Sequence, residues 1–226
     1  MIGQAIGEVL AFGVGVALSP LAIVAVVVML VAPGGARTAW AFAGAWVLSL
    51  GVVSTVVLLV ADSADASAHG APASWVSVVK IVVGLLLGLF GARRLRGRKD
   101  RDTEAATPGW MRHLNDVTMA RAAGLGAAFN VVKPKNLLLT IGAGVAVGQV
   151  GASPAGQAWA ICAFVVLGTI GLAIPLAIHG LMPSRGSDLL IELRDRMVRE
   201  NATIIAVLCL VIAAKLLGDA LIALST

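Results

Sequence analysis

The segment richest in reactive side chains is a polar cluster inside an otherwise apolar stretch. Asn130 and Asn136 flank Lys133, Pro134 and Lys135. Lys133 lies about 14 residues into the stretch, which along a helix is roughly 20 Å. A charge that deep in a bilayer costs at least about 2.5–3.5 kcal/mol, so we expect it to face a cavity or a partner. Because Pro134 also exposes helix-end groups, the cluster predicts a binding site for a polar or anionic group. The alternatives are lysines that snorkel, or a loop between two shorter segments.

A second interruption lies near the middle of the first apolar stretch, at Ser19 and Pro20. Pro20 frees a backbone carbonyl one turn earlier, and Ser19 supplies a hydroxyl beside it. In both interrupted stretches a Gly-x-Gly precedes the proline. Ser19 and Pro20 are therefore predicted to form the opposite wall of the same cavity, with a simple proline kink as the alternative.

Four further charged residues fall inside apolar stretches, nearer their predicted outer ends: Glu8, Lys80, Lys215 and Asp219. Lys215 and Asp219 are spaced i, i+4, so they can pair on one helix face. We interpret the four as candidates for coupling or gating, with ion pairing or snorkelling near the headgroups as the alternative. The sequence shows no nucleophile–base pair and no cluster of metal ligands at a common depth. It therefore predicts no catalytic residue, no metal site, no cofactor and no enzymatic activity.

The composition indicates a membrane protein. The chain has 226 residues, of which 59% are apolar and 13% charged, against about 45–50% and about 25% in soluble domains. This excludes a soluble enzyme and a nucleic-acid-binding domain. The net charge of +5 does not indicate a nucleic acid partner, because the basic residues lie between apolar segments, where they orient a membrane protein.

Six apolar stretches are visible, and none alternates as a barrel strand would. They run about 5–31, 37–61, 75–92, 119–147, 155–181 and 201–223. The sequence predicts an all-α integral membrane protein with six transmembrane helices. Because helices 1 and 4 are both interrupted, we predict two inverted three-helix repeats. The first repeat spans 1–92, a basic cytoplasmic linker spans 93–118, and the second, inverted repeat spans 119–226.

The distribution of lysine and arginine predicts the orientation. The segments 92–118 and 182–200 are basic, and the first loop carries Arg37, whereas 62–74 and both termini have no Lys or Arg. By the positive-inside rule the loops after spans one, three and five are cytoplasmic. The chain is thus predicted to be a multi-pass protein of the plasma (inner) membrane with both termini outside.

Three segments resemble one known family. In the stretch 108–144, Lys133-Pro134-Lys135-Asn136 matches an Asn-Pro-Lys-Asn-type motif, with Lys133 where that motif begins with Asn. Leu18-Ser19-Pro20 matches the family's break in the first span, and GLLLGLFGARRLR at 84–96 is similar to the end of its third. The chain is similar to the GAP family, the sulfolipid- or glycopeptidolipid-addressing proteins of the LysE transporter superfamily.

The resemblance implies a six-span fold and export of a polar or anionic lipid, such as a glycolipid, or its precursor to the cell envelope by alternating access. The implied partners are that lipid or another anionic amphiphile, the surrounding membrane lipids and a larger lipid exporter. The sequence allows a homodimer, because six short helices bury limited surface, although no motif requires one.

Two alternatives to lipid export stay open. One is a LysE-like exporter of an amino acid or another small solute. The other is a non-transporting accessory of a lipid-export complex, acting through the basic linker. A thiol-redox carrier is disfavoured, because Cys162 and Cys209 fall in spans five and six rather than in the interrupted spans.

Overall fold

A computed structural model of the protein describes residues 2–67, 74–96, 117–182, 189–190, 192 and 206–221. Within these ranges the regular secondary structure is helical, without a strand. The helices are α1 (Ile2–Ala17), α2 (Pro20–Val31), α3 (Ala36–Ser67), α4 (Ser74–Arg96), α5 (Met119–Val131), α6 (Pro134–Gln149), α7 (Pro154–Leu181) and α8 (206–221). Most of the linker 93–118 and of the basic segment 182–200 lies outside the described residues.

Two proline-led breaks divide apolar stretches into helix pairs. Pro20 is the first residue of α2 and Pro134 is the first residue of α6. Proline suits this position, because its fixed φ fits a helix start and the amide N–H it lacks has no intrahelical partner there. The axes of α1 and α2 differ by 53°. Both interruptions predicted from the sequence are therefore present in the structure.

The long helices α3 and α7 form the centre of the packing. α1 packs along α7, and α5 packs along α3, while α6 contacts both α1 and α3. Trp46 of α3 is fully buried, and its Nε1 donates to the carbonyl of Gly168 in α7 at 3.3 Å. Gly126 lets α5 approach so closely that an added Cβ would meet the backbone carbonyl of Phe42.

α4 and α8 pack against each other at one side of this centre. A Cβ at Gly84 of α4 would lie 3.0 Å from Leu217, and one at Gly91 would lie 3.1 Å from Leu210. α8 also approaches α1, where a Cβ at Gly15 would lie 2.9 Å from Leu208. Small residues of this kind allow membrane helices to pack closely without a water-driven hydrophobic effect.

Two of the described helical segments, Ala36–Ser63 and Pro154–Leu181, are long and apolar enough to cross a membrane, and the bent pair α1–α2 adds a third if it counts as one span. The sequence predicts six. α5 and α6 have 13 and 16 residues, and each is shorter than the roughly 20 residues that a span needs. Lys133 lies between them, and Lys135 lies in the first turn of α6. The six-span, two-repeat arrangement and its boundaries at 92 and 118 thus stay predictions.

Candidate functional site

The two breaks are joined directly to each other. Ser19 Oγ, at the start of α2, donates to Asn136 Oδ1 in the first turn of α6 at 2.8 Å. Lys135 Nζ donates to the carbonyl oxygens of Gly15 and Leu18 at 2.8 and 2.9 Å. Ser19, Lys135 and Asn136 are all buried. Three hydrogen bonds therefore connect the end of α1 and the start of α2 with the start of α6.

The end of α1 explains where the Lys135 ammonium lies. α1 ends at Ala17, so the carbonyls of its last turn have no further helical N–H groups to accept from. Pro20 has no N–H to offer either. A helix C-terminus carries about half a negative charge, which a cation stabilises. Lys135 itself lies in the first turn of α6, where the positive end of the helix dipole disfavours a cation. The stabilisation therefore comes from α1.

Asparagine and hydroxyl side chains extend the connection away from the breaks. Asn136 Nδ2 donates to the Phe129 carbonyl at 3.3 Å. The Thr140 hydroxyl lies 3.2 Å from Asn130 Oδ1 and 2.9 Å from the Asn136 carbonyl, so its single proton has two acceptors. Asn130 Nδ2 donates to Ser49 Oγ of α3 at 3.2 Å. A polar network thus runs from Ser19 to α3 through an apolar interior.

This network satisfies itself. Among the described residues, every buried side-chain nitrogen and oxygen has a hydrogen-bond partner. An unpaired polar group in such an interior costs about 1–3 kcal/mol. Within the described residues, the network therefore has no unpaired buried atom that needs a ligand for its hydrogen bond.

Lys133 has a different environment from Lys135. It is the N-cap of α6 and is half-buried, and its Nζ lies 3.6 Å from the centroid of the Phe129 ring. A cation over an aromatic face gains about 0.5–1 kcal/mol when exposed and about 2 kcal/mol or more when desolvated. Pro134, the next residue, is exposed. Lys133 therefore places a positive charge at the surface of the break between α5 and α6.

An apolar groove lies farther along α6. It has a volume of about 200 Å³ and is bounded by side chains of α3, α4 and α6. Ile141 and Val145 line it from α6, about two and three turns beyond Lys133. The other lining residues are Val56, Val57, Val60 and Val79. All six are aliphatic, so the groove suits a hydrocarbon chain and offers no side-chain hydrogen bond.

A second charged cluster joins α1 to α8. Lys215 Nζ contacts Glu8 Oε2, and it lies 3.0 Å from Asp219 Oδ2. All three side chains are about one-third exposed. Glu8 and Gly15 are seven residues apart, or roughly 10 Å along α1, so the cluster is separate from the breaks. Lys80 lies buried on α4, one turn before Gly84, which packs against α8.

The structure places Lys80 buried on α4 and brings the other sequence-predicted residues into two groups. A direct hydrogen bond joins Ser19 to Asn136, Lys135 donates to the Leu18 carbonyl next to Ser19, and Thr140 connects Asn136 to Asn130. Pro20 and Pro134 begin α2 and α6, and Lys133 adjoins Phe129. Glu8, Lys215 and Asp219 form the separate cluster.

Sequence reasoning missed Ser49, Thr140 and Phe129. Thr140 could have been found, because it lies one turn from Asn136 on the same helix face. Ser49 is a single hydroxyl in a different apolar stretch, and Phe129 is one of several apolar neighbours, so neither gives a signal until the helices are paired. Among the described residues there is no group of three or more His, Cys, Asp or Glu that could hold a metal ion.

The helix breaks and their motif can now be compared with known proteins. Residues 9–222 match the family described as Sap, sulfolipid-1-addressing protein. The chain belongs to this family. No curated protein and no solved structure gives a significant match.

Family membership confirms the resemblance seen in the motifs at both breaks. The match covers nearly the whole chain, so it includes both breaks and the polar network. Of the charged cluster between α1 and α8 it includes Lys215 and Asp219 but not Glu8. The family match and the apolar helices together indicate that this Sap-family member is a membrane protein. The family description concerns the addressing of a lipid.

Proposed function

We propose that this protein moves an anionic amphiphile, a polar lipid such as a glycolipid or its precursor, across the membrane toward the cell envelope. The observation that carries the proposal is the position of Lys133. It presents a positive charge at the surface of a helix break, and such breaks are where transporters bind polar groups at membrane depth. The positive end of the α6 dipole points to the same place.

Lys133 is the best substrate contact because it is only half-buried, whereas Asn130, Lys135 and Asn136 are buried. Those three side chains form the hydrogen bonds that join the breaks to each other and to α3. Lys133 lies over an aromatic ring, an interaction that an anionic phosphate, sulfate or carboxylate can supplement with a charge-assisted hydrogen bond. We place Ser19, Pro20, Asn130, Pro134, Lys135 and Asn136 around this contact as the wall of the substrate cavity.

The apolar groove supports an amphiphile over a small polar solute. Ile141 lies roughly 12 Å along α6 from Lys133, and the groove between α3, α4 and α6 is lined only by aliphatic side chains. An anionic headgroup at Lys133 could therefore extend a hydrocarbon chain into the groove. Burial of each methylene contributes about 0.8 kcal/mol. An amino acid would use Lys133 and leave the groove unused.

The proposed architecture is six spans in two inverted repeats, with α1–α2 and α5–α6 as the interrupted helices. The contacts support it, because α1 packs along α7 of the other half as α5 packs along α3. Alternating access would rock one half against the other around the breaks. We place the protein in the inner membrane with both termini outside, on the lysine and arginine distribution.

The charged cluster between α1 and α8 is proposed as a gate or coupling site. Glu8 and Asp219 share Lys215, so separation of α1 from α8 would break the Glu8 pair and leave the Asp219 pair intact. Lys80 belongs to this proposal through its place on α4, which packs on α8.

Lipid binding is tested by native mass spectrometry of the gently purified protein. Wild type should retain an anionic lipid, Lys133→Ala should lose it, and Lys133→Arg should keep it, since the charge is preserved. Retention that is equal in wild type and Lys133→Ala would overturn the role of Lys133. If wild type and both variants carry no lipid, the result would count against lipid transport.

Transport is tested in proteoliposomes with a fluorescent anionic lipid and its zwitterionic counterpart. We expect wild type to move the anionic lipid faster than the zwitterionic one, and Lys133→Ala to remove the difference. Absence of lipid movement with efflux of a labelled amino acid would establish the small-solute exporter instead. Absence of both would favour the accessory role.

A further inference from the structure

The carbonyl groups at the end of α1 form a cation site that the protein fills with its own side chain. Gly15 O and Leu18 O converge on Lys135 Nζ at 2.8 and 2.9 Å. Freed carbonyls at the C-terminal end of a half-helix are the groups that coordinate Na⁺ in transporters with discontinuous helices. Here an ammonium group takes that place.

We propose that Lys135 is a resident cation, which replaces a dissociable coupling ion and makes the connection between the two breaks independent of Na⁺ and K⁺. The inference goes beyond the proposed function, because it concerns the ion requirement and holds whatever the solute is. It rests on the α1 carbonyls, the burial of Lys135 and the helix from which it comes.

The burial of Lys135 and the partial negative charge at the end of α1 together favour a cation at this position. Lys135 is 7% exposed, and a charge buried to this extent must be compensated. The partial negative charge at the end of α1 supplies the compensation. Removal of the ammonium leaves that partial charge and two carbonyl oxygens facing a space of about the size of a small cation.

The origin of the lysine determines what the cation does. Lys135 belongs to α6, whereas its acceptors lie in and just after α1. A soluble ion would join these segments only when it is bound, so its effect would follow concentration by mass action. A tethered ammonium joins them at every salt composition. The neighbouring bond from Ser19 to Asn136 is then held in register without an external ion.

The first test compares the thermal unfolding of wild type in NaCl, KCl and choline chloride at equal ionic strength. We expect the same Tm in all three salts, because the site is already occupied. A wild-type Tm that rises specifically with Na⁺ or K⁺ would overturn the proposal. This measurement needs no lipid and no transport, so it is independent of whether the proposed function holds.

The second test uses Lys135→Met, which keeps a linear side chain and removes the charge. Its Tm should be lower than that of wild type and should rise with the logarithm of Na⁺, K⁺ or methylammonium concentration, whereas choline should have no effect. The matched control, Lys133→Met, should show no such dependence. A Lys135→Met Tm that is insensitive to small cations would overturn the proposal. If this variant does not fold, the wild-type salt comparison decides alone.

Discussion

At the scale of single residues, two lysines in one motif meet different surroundings. Lys135 is buried against the end of α1, and Lys133 is half-buried over an aromatic ring. The residue between them, Pro134, starts α6, so Lys133 has an extended backbone before the helix and Lys135 lies within its first turn. The motif thus separates a buried cation that joins the two breaks from a half-buried cation beside the Phe129 ring.

The hydrogen bond between Ser19 and Asn136 should couple the two breaks energetically. We expect Ser19→Ala and Asn136→Ala to be non-additive, with an interaction energy of about 0.5–2 kcal/mol in a double-mutant cycle. The measurement is the free energy of unfolding in detergent for wild type, both single variants and the double variant. In the control cycle Ser63→Ala takes the place of Ser19→Ala, because Ser63 is exposed and bonds within its own helix. Additivity in the Ser19–Asn136 cycle would contradict the direct connection.

The Phe129 ring should help to hold Lys133 where a ligand can reach it. Phe129→Leu removes the cation–π contact while the site remains apolar, so retention of an anionic lipid should fall about 2- to 5-fold. Phe129→Trp keeps an aromatic face and should bind as wild type does. Native mass spectrometry with a fixed excess of anionic lipid gives the ratio. Equal retention by Phe129→Leu and wild type would show that the ring does not position Lys133.

At the scale of helices, two glycines of α5 provide a matched test of packing. A Cβ at Gly126 would collide with the Phe42 carbonyl of α3, whereas a Cβ at Gly124 would meet nothing within 4 Å. Gly126→Ala should therefore destabilise the protein by about 1–3 kcal/mol. Gly124→Ala should be neutral or stabilise it by up to about 1 kcal/mol, because alanine favours a helix. Comparison of the two Tm values decides, and equal shifts would contradict the close approach of α5 to α3.

The same scale shows what the sequence could predict. Both helix breaks follow from Pro20 and Pro134, because proline acts locally on the backbone and needs no knowledge of the fold. The pairing of Ser19 with Asn136 and of Lys135 with Gly15 could not be predicted, since it depends on which helices are neighbours. The sequence assigns Lys133 and Lys135 to one binding site, and their different burial appears only once α1 ends beside one of them.

At the scale of the whole molecule, the two halves share an order of elements. In each half the helix that begins at the proline, α2 or α6, is followed by a short turn into a long helix, α3 or α7. Each of these turns contains a glycine in the left-handed region, Gly34 with φ 72° and Gly151 with φ 61°. With the three spans that we propose for each half, the two halves would lie in opposite orientations. The turns at Gly34 and Gly151 should then face opposite sides of the membrane.

Cysteine labelling tests this inversion directly. In a background where Cys162 and Cys209 are replaced by alanine, Pro33→Cys and Ala155→Cys each place one thiol at an exposed position beside one of the turns. A membrane-impermeant maleimide added to intact cells should label Ala155→Cys and leave Pro33→Cys unlabelled until the membrane is permeabilised, because the proposed orientation puts the first turn, which precedes Arg37, in the cytoplasm. The cysteine-free background controls for non-specific labelling. Labelling of both variants from outside would contradict the inversion, and the reverse pattern would keep the inversion but reverse the orientation of the termini.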